Sequence, residues 1–228
     1  MSPVSIFVII PVLNEERSIG KVIADIPAIV SAIIVVDNGS TDNTANVARA
    51  AGAIVLSEPR RGYGYACLKG IEYVNSKRAD IIVFLDGDYS DYPQELTCLV
   101  DPILNNAADL VIGSRSLGEH ERGALLPQAR FGNWLATTLI RLRWRVRFTD
   151  LGPFRAITAT ALNQLKMCDG TYGWTVEMQI KAAQQHLRCV EVPVKYRKRI
   201  GTSKVSGTVM GSVKAGVKIL WLIFKYAI

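Results

Sequence analysis

Apolar runs of strand length recur five times in the first 115 residues, at 5–10, 32–36, 53–57, 80–85 and 109–113. Helical patterns occupy the intervals, near 17–26, 42–51, 64–77 and 93–105. This alternation restricts the fold more than any other feature. Strand–helix–strand units cross over right-handed and build a mostly parallel sheet with helices on both faces. The chain is therefore expected to be α/β, a three-layer sandwich around a central sheet. Ligands of such sheets lie outside the carboxyl ends of the strands. Asn14-Glu15, Asp37, Asp86 with Asp88, and Ser114-Arg115 each follow an apolar run, so all are expected on that edge.

The second half is less regular. Residues 128–142, 158–166 and 174–186 read as helices, and 152–157 and 188–196 as extended segments. From Ser206 to Ile228 a helical pattern ends in the six-residue apolar run Ile219–Phe224, with Lys214, Lys218 and Lys225 around it. A membrane span needs ~20 apolar residues. The pattern instead fits an amphipathic helix, lying in a membrane interface or packed on the domain by its aromatic face.

A length of 228 residues fits one α/β domain or at most two small ones, and a hydrophobic content of 49% excludes a disordered chain. The four cysteines (Cys67, Cys98, Cys168 and Cys189) are far apart, with two histidines in the whole chain, which argues against a zinc site or a disulfide scaffold. That cysteine usage suits a cytoplasmic protein. The N-terminal stretch lacks a basic region and a cleavage site and reads as a first strand.

The net charge of +7 is unevenly spread. Residues 122–155 hold seven arginines against Asp150, and residues 188–228 hold nine Lys/Arg against Glu191. Such asymmetry points to a polyanionic partner: phosphate groups, an anionic membrane or nucleic acid. No nucleic-acid-binding motif accompanies it, so nucleic acid is not expected. Arg141, Arg143, Arg145 and Arg147 alternate strictly and would share one face of an extended segment. Against an anionic leaflet each would add ~1 kcal/mol of attraction.

The run Ile81-Ile-Val-Phe-Leu-Asp-Gly-Asp88 delivers two carboxylates, one residue apart, to a strand end. Both can turn toward one hard cation, Mg²⁺ or Mn²⁺, with a nucleotide diphosphate completing the oxygen ligands. On these residues alone, Asp86 and Asp88 could equally cap a turn.

Further motifs follow in order: Pro11-Val-Leu-Asn-Glu15, Val35-Val-Asp-Asn-Gly-Ser-Thr-Asp42, Arg61-Gly-Tyr-Gly-Tyr-Ala66, Leu85-Asp-Gly-Asp-Tyr-Ser-Asp-Tyr-Pro93 and Gly113-Ser-Arg115. Together they resemble the family 2 glycosyltransferases, whose fold is GT-A. Gly113-Ser-Arg115, Gly152-Pro-Phe-Arg155 and Arg199-Ile-Gly-Thr-Ser-Lys204 are most similar to the polyprenyl-phosphate (dolichyl-phosphate) sugar synthases.

The resemblance implies a glycosyltransferase domain over 1–205, with a nucleotide-binding half (1–115), an acceptor half (116–205) and a separate helix, 206–228. It implies that Pro11, Asn14, Glu15, Asp37, Gly39 and Ser40 hold the nucleotide, with Gly87 between the metal ligands Asp86 and Asp88. Ser90 falls where some relatives supply a further metal ligand. Arg115, Arg155, Arg199, Ser203 and Lys204 would bind phosphate, of the acceptor or of the donor. The implied reaction is inverting transfer of a hexose, from a donor of the GDP-mannose or UDP-glucose type, to polyprenyl or dolichyl phosphate. It would take place peripherally at the cytosolic membrane face. A lipid phosphate is already anionic and needs no base; an alcohol acceptor would need one. Asp150 and Glu177 are the candidates, and each could instead be an ion-pair partner. Gly62-x-Gly64 reads either as a mobile loop near the nucleotide or as backbone necessity. Two departures from the family, Gly152-Pro153 in place of Ser-Gly and the segment Tyr172-Gly-Trp174, leave the acceptor open.

Overall fold

The computed structural model describes residues 4–201 and 209–227. Its strands coincide with the apolar runs: β1 (Ile6–Val12), β2 (Ala32–Asp37), β3 (Ile54–Ser57), β4 (Ile81–Phe84), β5 (Leu110–Ser114), β6 (Arg155–Thr158) and β7 (Cys189–Pro193). They form one sheet in the order β3-β2-β1-β4-β6-β5-β7. Neighbouring strands run parallel except at β6, which is antiparallel to both β4 and β5. The second half of the chain thus inserts a strand into the sheet begun by the first.

The helices are α1 (Ile19–Ala24), α2 (Thr44–Ala50), α3 (Tyr63–Asn75), α4 (Leu96–Leu104), α5 (Pro127–Trp144), α6 (Ala159–Leu165), α7 (Trp174–Gln184) and α8 (Val209–Ala227). Successive strand side chains point to opposite faces, and this divides the core in two. Ile9, Ile34, Val36, Ile82 and Phe84 meet Cys67 and Val74 of α3, Ile140 of α5, Met178 of α7 and Leu222 of α8. Val8, Ile10, Val35, Val83 and Leu85 meet Ile19 and Val22 of α1, Ala48 of α2 and Leu99 and Ile103 of α4. Every residue of β4 is buried, and each such apolar side chain contributes roughly 1.5–3 kcal/mol. This is the expected three-layer α/β sandwich.

Strand order reverses direction between β1 and β4, because β1 leads outward to β2 and β3 on one side while β4 leads to β6 on the other. The register aligns Val12 with Asp37 and Ile9 with Phe84. Residues 13–15, 37–40 and 85–88 therefore emerge side by side at this switch point, where open α/β sheets bind ligands. Gly87 permits the close approach: a Cβ there would lie 2.6 Å from Val12 Cγ1.

Two expectations are corrected. Residues 141–147 do not form an extended segment. Helix α5 begins with Pro127 at its first turn and runs through Trp144, and Arg145 ends it in the left-handed conformation (φ 60°). Arg141 and Arg143 are therefore helical and the four arginines do not share a strand face, although all four are exposed. Helix α8 packs on the domain through Leu222, Ile223 and the ring of Tyr226, but not through its other two aromatic rings. Leu222 and Ile223 are buried, whereas Trp221 and Phe224 are 51% and 61% exposed.

Candidate active site

The wall beside β1 and β2 is built by interlocked loops. Asn14, in the left-handed conformation (φ 55°), accepts a hydrogen bond from Thr41 N–H through Oδ1 (2.7 Å), and its own N–H donates to Ser40 Oγ (2.9 Å). Ser40 N–H in turn donates to Asp37 Oδ1 (2.9 Å). Glu15 N–H donates to Thr44 Oγ1 (2.8 Å), and Glu15 Oε2 accepts from Ser18 Oγ (2.9 Å). Pro11 is buried within β1, and Gly39 takes the positive φ (80°) that the turn after Asp37 requires. Every residue assigned to the nucleotide by resemblance thus lies on one edge of the sheet.

Gly62 and Gly64 are not a mobile loop. A Cβ on either would come within 2.1 Å of the carbonyl oxygens of Gly170 and Asp169, and Tyr65 N–H donates to Gly170 O (2.9 Å). Packing requires glycine at both positions.

Beyond β4, Asp88 is almost fully buried. Its Oδ1 accepts from Ser90 N–H (2.9 Å) and Ser90 Oγ (2.5 Å), and its Oδ2 faces Arg199 Nη1 at 2.9 Å. Ser90 thus acts on Asp88 itself. Asp86 is half-buried and its Oδ1 is inaccessible; the buried Tyr63 hydroxyl acts on this carboxyl, yet neither Oδ1 nor that hydroxyl reaches a hydrogen bond of ordinary geometry. Burial, then the charge of Asp88, pushes the Asp86 carboxyl up to about 6. An orphaned, buried carboxylate oxygen beside a second carboxylate is the donor set a hard divalent cation completes. Among the described residues, no three His, Cys, Asp or Glu side chains are grouped to hold a metal by themselves. Asp86 and Asp88 therefore fit a cation that takes its remaining ligands from a diphosphate and water.

Arg115 follows β5. It donates from its backbone N–H and Nε to Asp150 Oδ2 (both 2.8 Å) and from Nη2 to Asp150 Oδ1 (2.7 Å). Asp150 is itself held by its backbone: Gln179 Nε2 donates to its carbonyl (2.9 Å), its N–H donates to Glu191 (3.1 Å), and Asn133 brackets the flanking residues. Behind this pair lies a cavity of about 540 Å³, whose lining includes Arg115, His120, Arg130, Asn133, Trp134, Thr137, Arg141, Arg147 and Asp150. Arg130 and the cavity were not singled out from the sequence. The signal was present: Arg130, Trp134 and Arg141 lie on one helical stripe of α5.

Two site assignments are corrected. Arg155 is fully buried in β6, and its guanidinium is spent on the carbonyls of Gly152 and Thr175 (3.1 Å from Nη1 to the latter). It is not presented to phosphate. Glu177 is fully buried on α7, where Cys168 N–H (3.2 Å), Asp169 N–H (2.7 Å), Tyr226 Oη (2.9 Å) and Lys181 Nζ (2.8 Å) surround its carboxylate. It ties α8 to α7 and has no lone pair to take a substrate proton. Ser203 and Lys204 lie outside the described residues.

The fold and the edge just described define an α/β architecture with its ligand edge at the switch point of the sheet. The family description Glycosyl transferase family 2 matches residues 7–165, and the chain belongs to that family of sugar-transferring enzymes. It is 39% identical over 214 residues to an uncharacterized glycosyltransferase of Mycobacterium tuberculosis, covering 92% of this chain and 94% of the relative. It is 28% identical over 227 residues to the undecaprenyl-phosphate mannosyltransferase of Micrococcus luteus, covering 93% and 92%. The fold is shared with the crystal structure of glucosyl-3-phosphoglycerate synthase from Mycobacterium tuberculosis, in complex with Mn²⁺, UDP and phosphoglyceric acid. That likeness has a TM-score of 0.79 at 23% identity and covers 98% of this chain and 78% of the other.

Proposed function

We propose that the protein transfers a hexose, with inversion, from a nucleotide-diphosphate sugar to a polyprenyl-type lipid phosphate. One observation carries the choice of acceptor: the cavity beside Arg115 is lined by Arg130, Arg141 and Arg147, none of which has an ion-pair partner among the described residues. Guanidinium groups match phosphate oxygens bidentately. The carboxylates that could serve an alcohol acceptor as base are occupied, Asp150 by Arg115 and Glu177 by α8. An acceptor that arrives already ionised suits such a site. The relative from Micrococcus luteus, an undecaprenyl-phosphate mannosyltransferase, agrees with this acceptor.

On this reading the 37–40 turn and the 13–15 loop grip the nucleotide, and Asp86 and Asp88 hold Mg²⁺ or Mn²⁺. That cation would neutralise charge on the departing diphosphate. Arg199, already against Asp88, turns to the same phosphates. Arg115, fixed by Asp150, aligns the acceptor oxygen, so the chain supplies alignment and electrostatics rather than a proton acceptor.

The lipid tail leaves along α5 and α8, which rest on an anionic leaflet. Phe131, Trp134 and Leu142 of α5 and Val217, Trp221 and Phe224 of α8 are exposed. Lys214, Lys225 and the exposed arginines of 141–147 flank them. No helix among the described residues is long and apolar enough to cross a membrane; the contact proposed is interfacial.

The test is transfer of label from UDP-glucose and GDP-mannose to undecaprenyl or dolichyl phosphate with Mn²⁺, beside the corresponding alcohols and phosphoglyceric acid. Product on the lipid phosphates alone is expected. Transfer to the alcohols or to phosphoglyceric acid, with none to lipid phosphate, overturns the acceptor.

A further inference from the structure

Asp91 belongs to none of the roles above, yet it is 1% exposed and both of its carboxylate oxygens are buried without a hydrogen-bond donor. Its surroundings explain why nothing answers it. Arg197 is spent elsewhere: Nε donates to Tyr89 O (2.7 Å), Nη2 to Asp91 O (3.2 Å), and the guanidinium lies 3.4 and 4.2 Å from the ring centroids of Tyr89 and Tyr92. Arg115 is committed to Asp150, and Arg199 to Asp88. Tyr196, which pairs with Asp91 through the backbone, presents its ring to Arg115. The groups acting electrostatically on Asp91 are Asp86, Asp88, Arg115 and Asp150, and burial followed by the charges of Asp86 and Asp88 pushes its carboxyl well up.

Of the carboxyl groups gathered here, Asp88 and Asp150 each form an ion pair with an arginine, whereas Asp86 and Asp91 form none among the described residues. Asp86 Oδ1 and both oxygens of Asp91 are thus buried acceptors left for a ligand the chain does not itself supply.

We propose that Asp91 is an outer ligand of the cation centre, accepting hydrogen bonds from water bound to the metal held by Asp86 and Asp88. Direct coordination does not fit, since among the described residues no three such side chains are grouped to hold an ion. Mg²⁺ and Mn²⁺ keep several waters, and a buried acceptor behind them orients the shell. Asp91 is then a positioning residue, and it determines how tightly the cation is held before any sugar nucleotide arrives. The inference rests on the reading of Asp86 and Asp88 as metal ligands.

The test uses the full chain and Mn²⁺ alone, titrated by the paramagnetic resonance signal of the free ion, with melting temperature in EDTA as a second readout. Asp91→Asn keeps the side-chain volume and removes the ionisable carboxyl. It is expected to weaken Mn²⁺ binding about tenfold, the usual effect of removing an outer partner. The melting temperature in EDTA should stay unchanged or rise, because an unpaired buried carboxyl has gone. Wild-type Mn²⁺ affinity in Asp91→Asn overturns the proposal. So does a fall in EDTA melting temperature that accounts for the weaker binding, since Asp91 would then be a structural anchor. Asp86→Asn separates the two levels. If it binds Mn²⁺ as the wild type does, or if the wild type binds none, the reading of the metal ligands falls and this inference with it.

Discussion

Asp88 has one cationic partner in the protein alone, Arg199, whose Nη1 lies 2.9 Å from its Oδ2. On the proposed reading, a divalent ion held by Asp86 and Asp88 would compete for the same carboxylate. Arg199→Gln should therefore tighten Mn²⁺ binding while slowing sugar transfer, a pair of opposite effects that a purely structural arginine would not produce. Protons compete as well. The Asp86 carboxyl is raised to about 6 by burial and by Asp88, so Mn²⁺ affinity should fall as pH drops through about 6. A raised carboxyl binds its proton more tightly folded than unfolded, so this group adds stability to the metal-free protein as pH falls through that value. A pH titration of Mn²⁺ affinity and of melting temperature in EDTA checks both signs. Glu177→Gln should lower stability by about 1–3 kcal/mol, the usual cost of a buried donor left unsatisfied, and leave kcat nearly unchanged. The carboxylates and arginines of the site were visible in the sequence as residue types at strand ends. Their commitments were not. Glu177 is claimed by Tyr226, 49 residues on, and Arg155 by the carbonyl of Thr175, 20 residues on; separations of that kind leave no local pattern.

Helix α5 shows how a choice of period changes a functional reading. Read with period two, Arg141 to Arg147 make a basic strand. Folded as helix through Trp144, the same stretch divides, with Arg141 and Arg147 lining the cavity and Arg143 donating to the carbonyl of Ala227 on α8 (3.0 and 2.7 Å). The helical stripe through Arg130, Trp134 and Arg141 then becomes a wall of the cavity proposed to take the acceptor. Arg130→Ala and Arg141→Ala should raise the KM for lipid phosphate, with donor affinity unchanged in a nucleotide-binding titration. The apolar faces of α5 and α8 make a separate prediction. Trp221→Ser combined with Phe224→Ser should release the protein from vesicles containing anionic lipid, without lowering its melting temperature, because both side chains point outward. Sedimentation with such vesicles measures this, and the residual binding should weaken with salt, as exposed charge attraction does.

At the scale of the whole molecule, β1 to β5 and the four helices between them were legible because each is short, periodic and local. The insertion of β6 between β4 and β5 was not. Antiparallel pairing of Phe84 with Arg155 and of Ile112 with the same residue depends on contacts across long stretches of chain, and 155–158 by itself reads only as extended. That insertion sets the second half of the chain against the edge built by the first, with Asp150 on Arg115 and Arg199 on Asp88. The most direct measurement is calorimetric titration of the purified protein with UDP-glucose and GDP-mannose, with Mn²⁺ and with EDTA, repeated on the double variant Asp86→Ala/Asp88→Ala. Cation-dependent binding of one donor, lost in the double variant, is the expected result. Binding of neither donor under any condition, or binding indifferent to the cation and to both carboxylates, would contradict it.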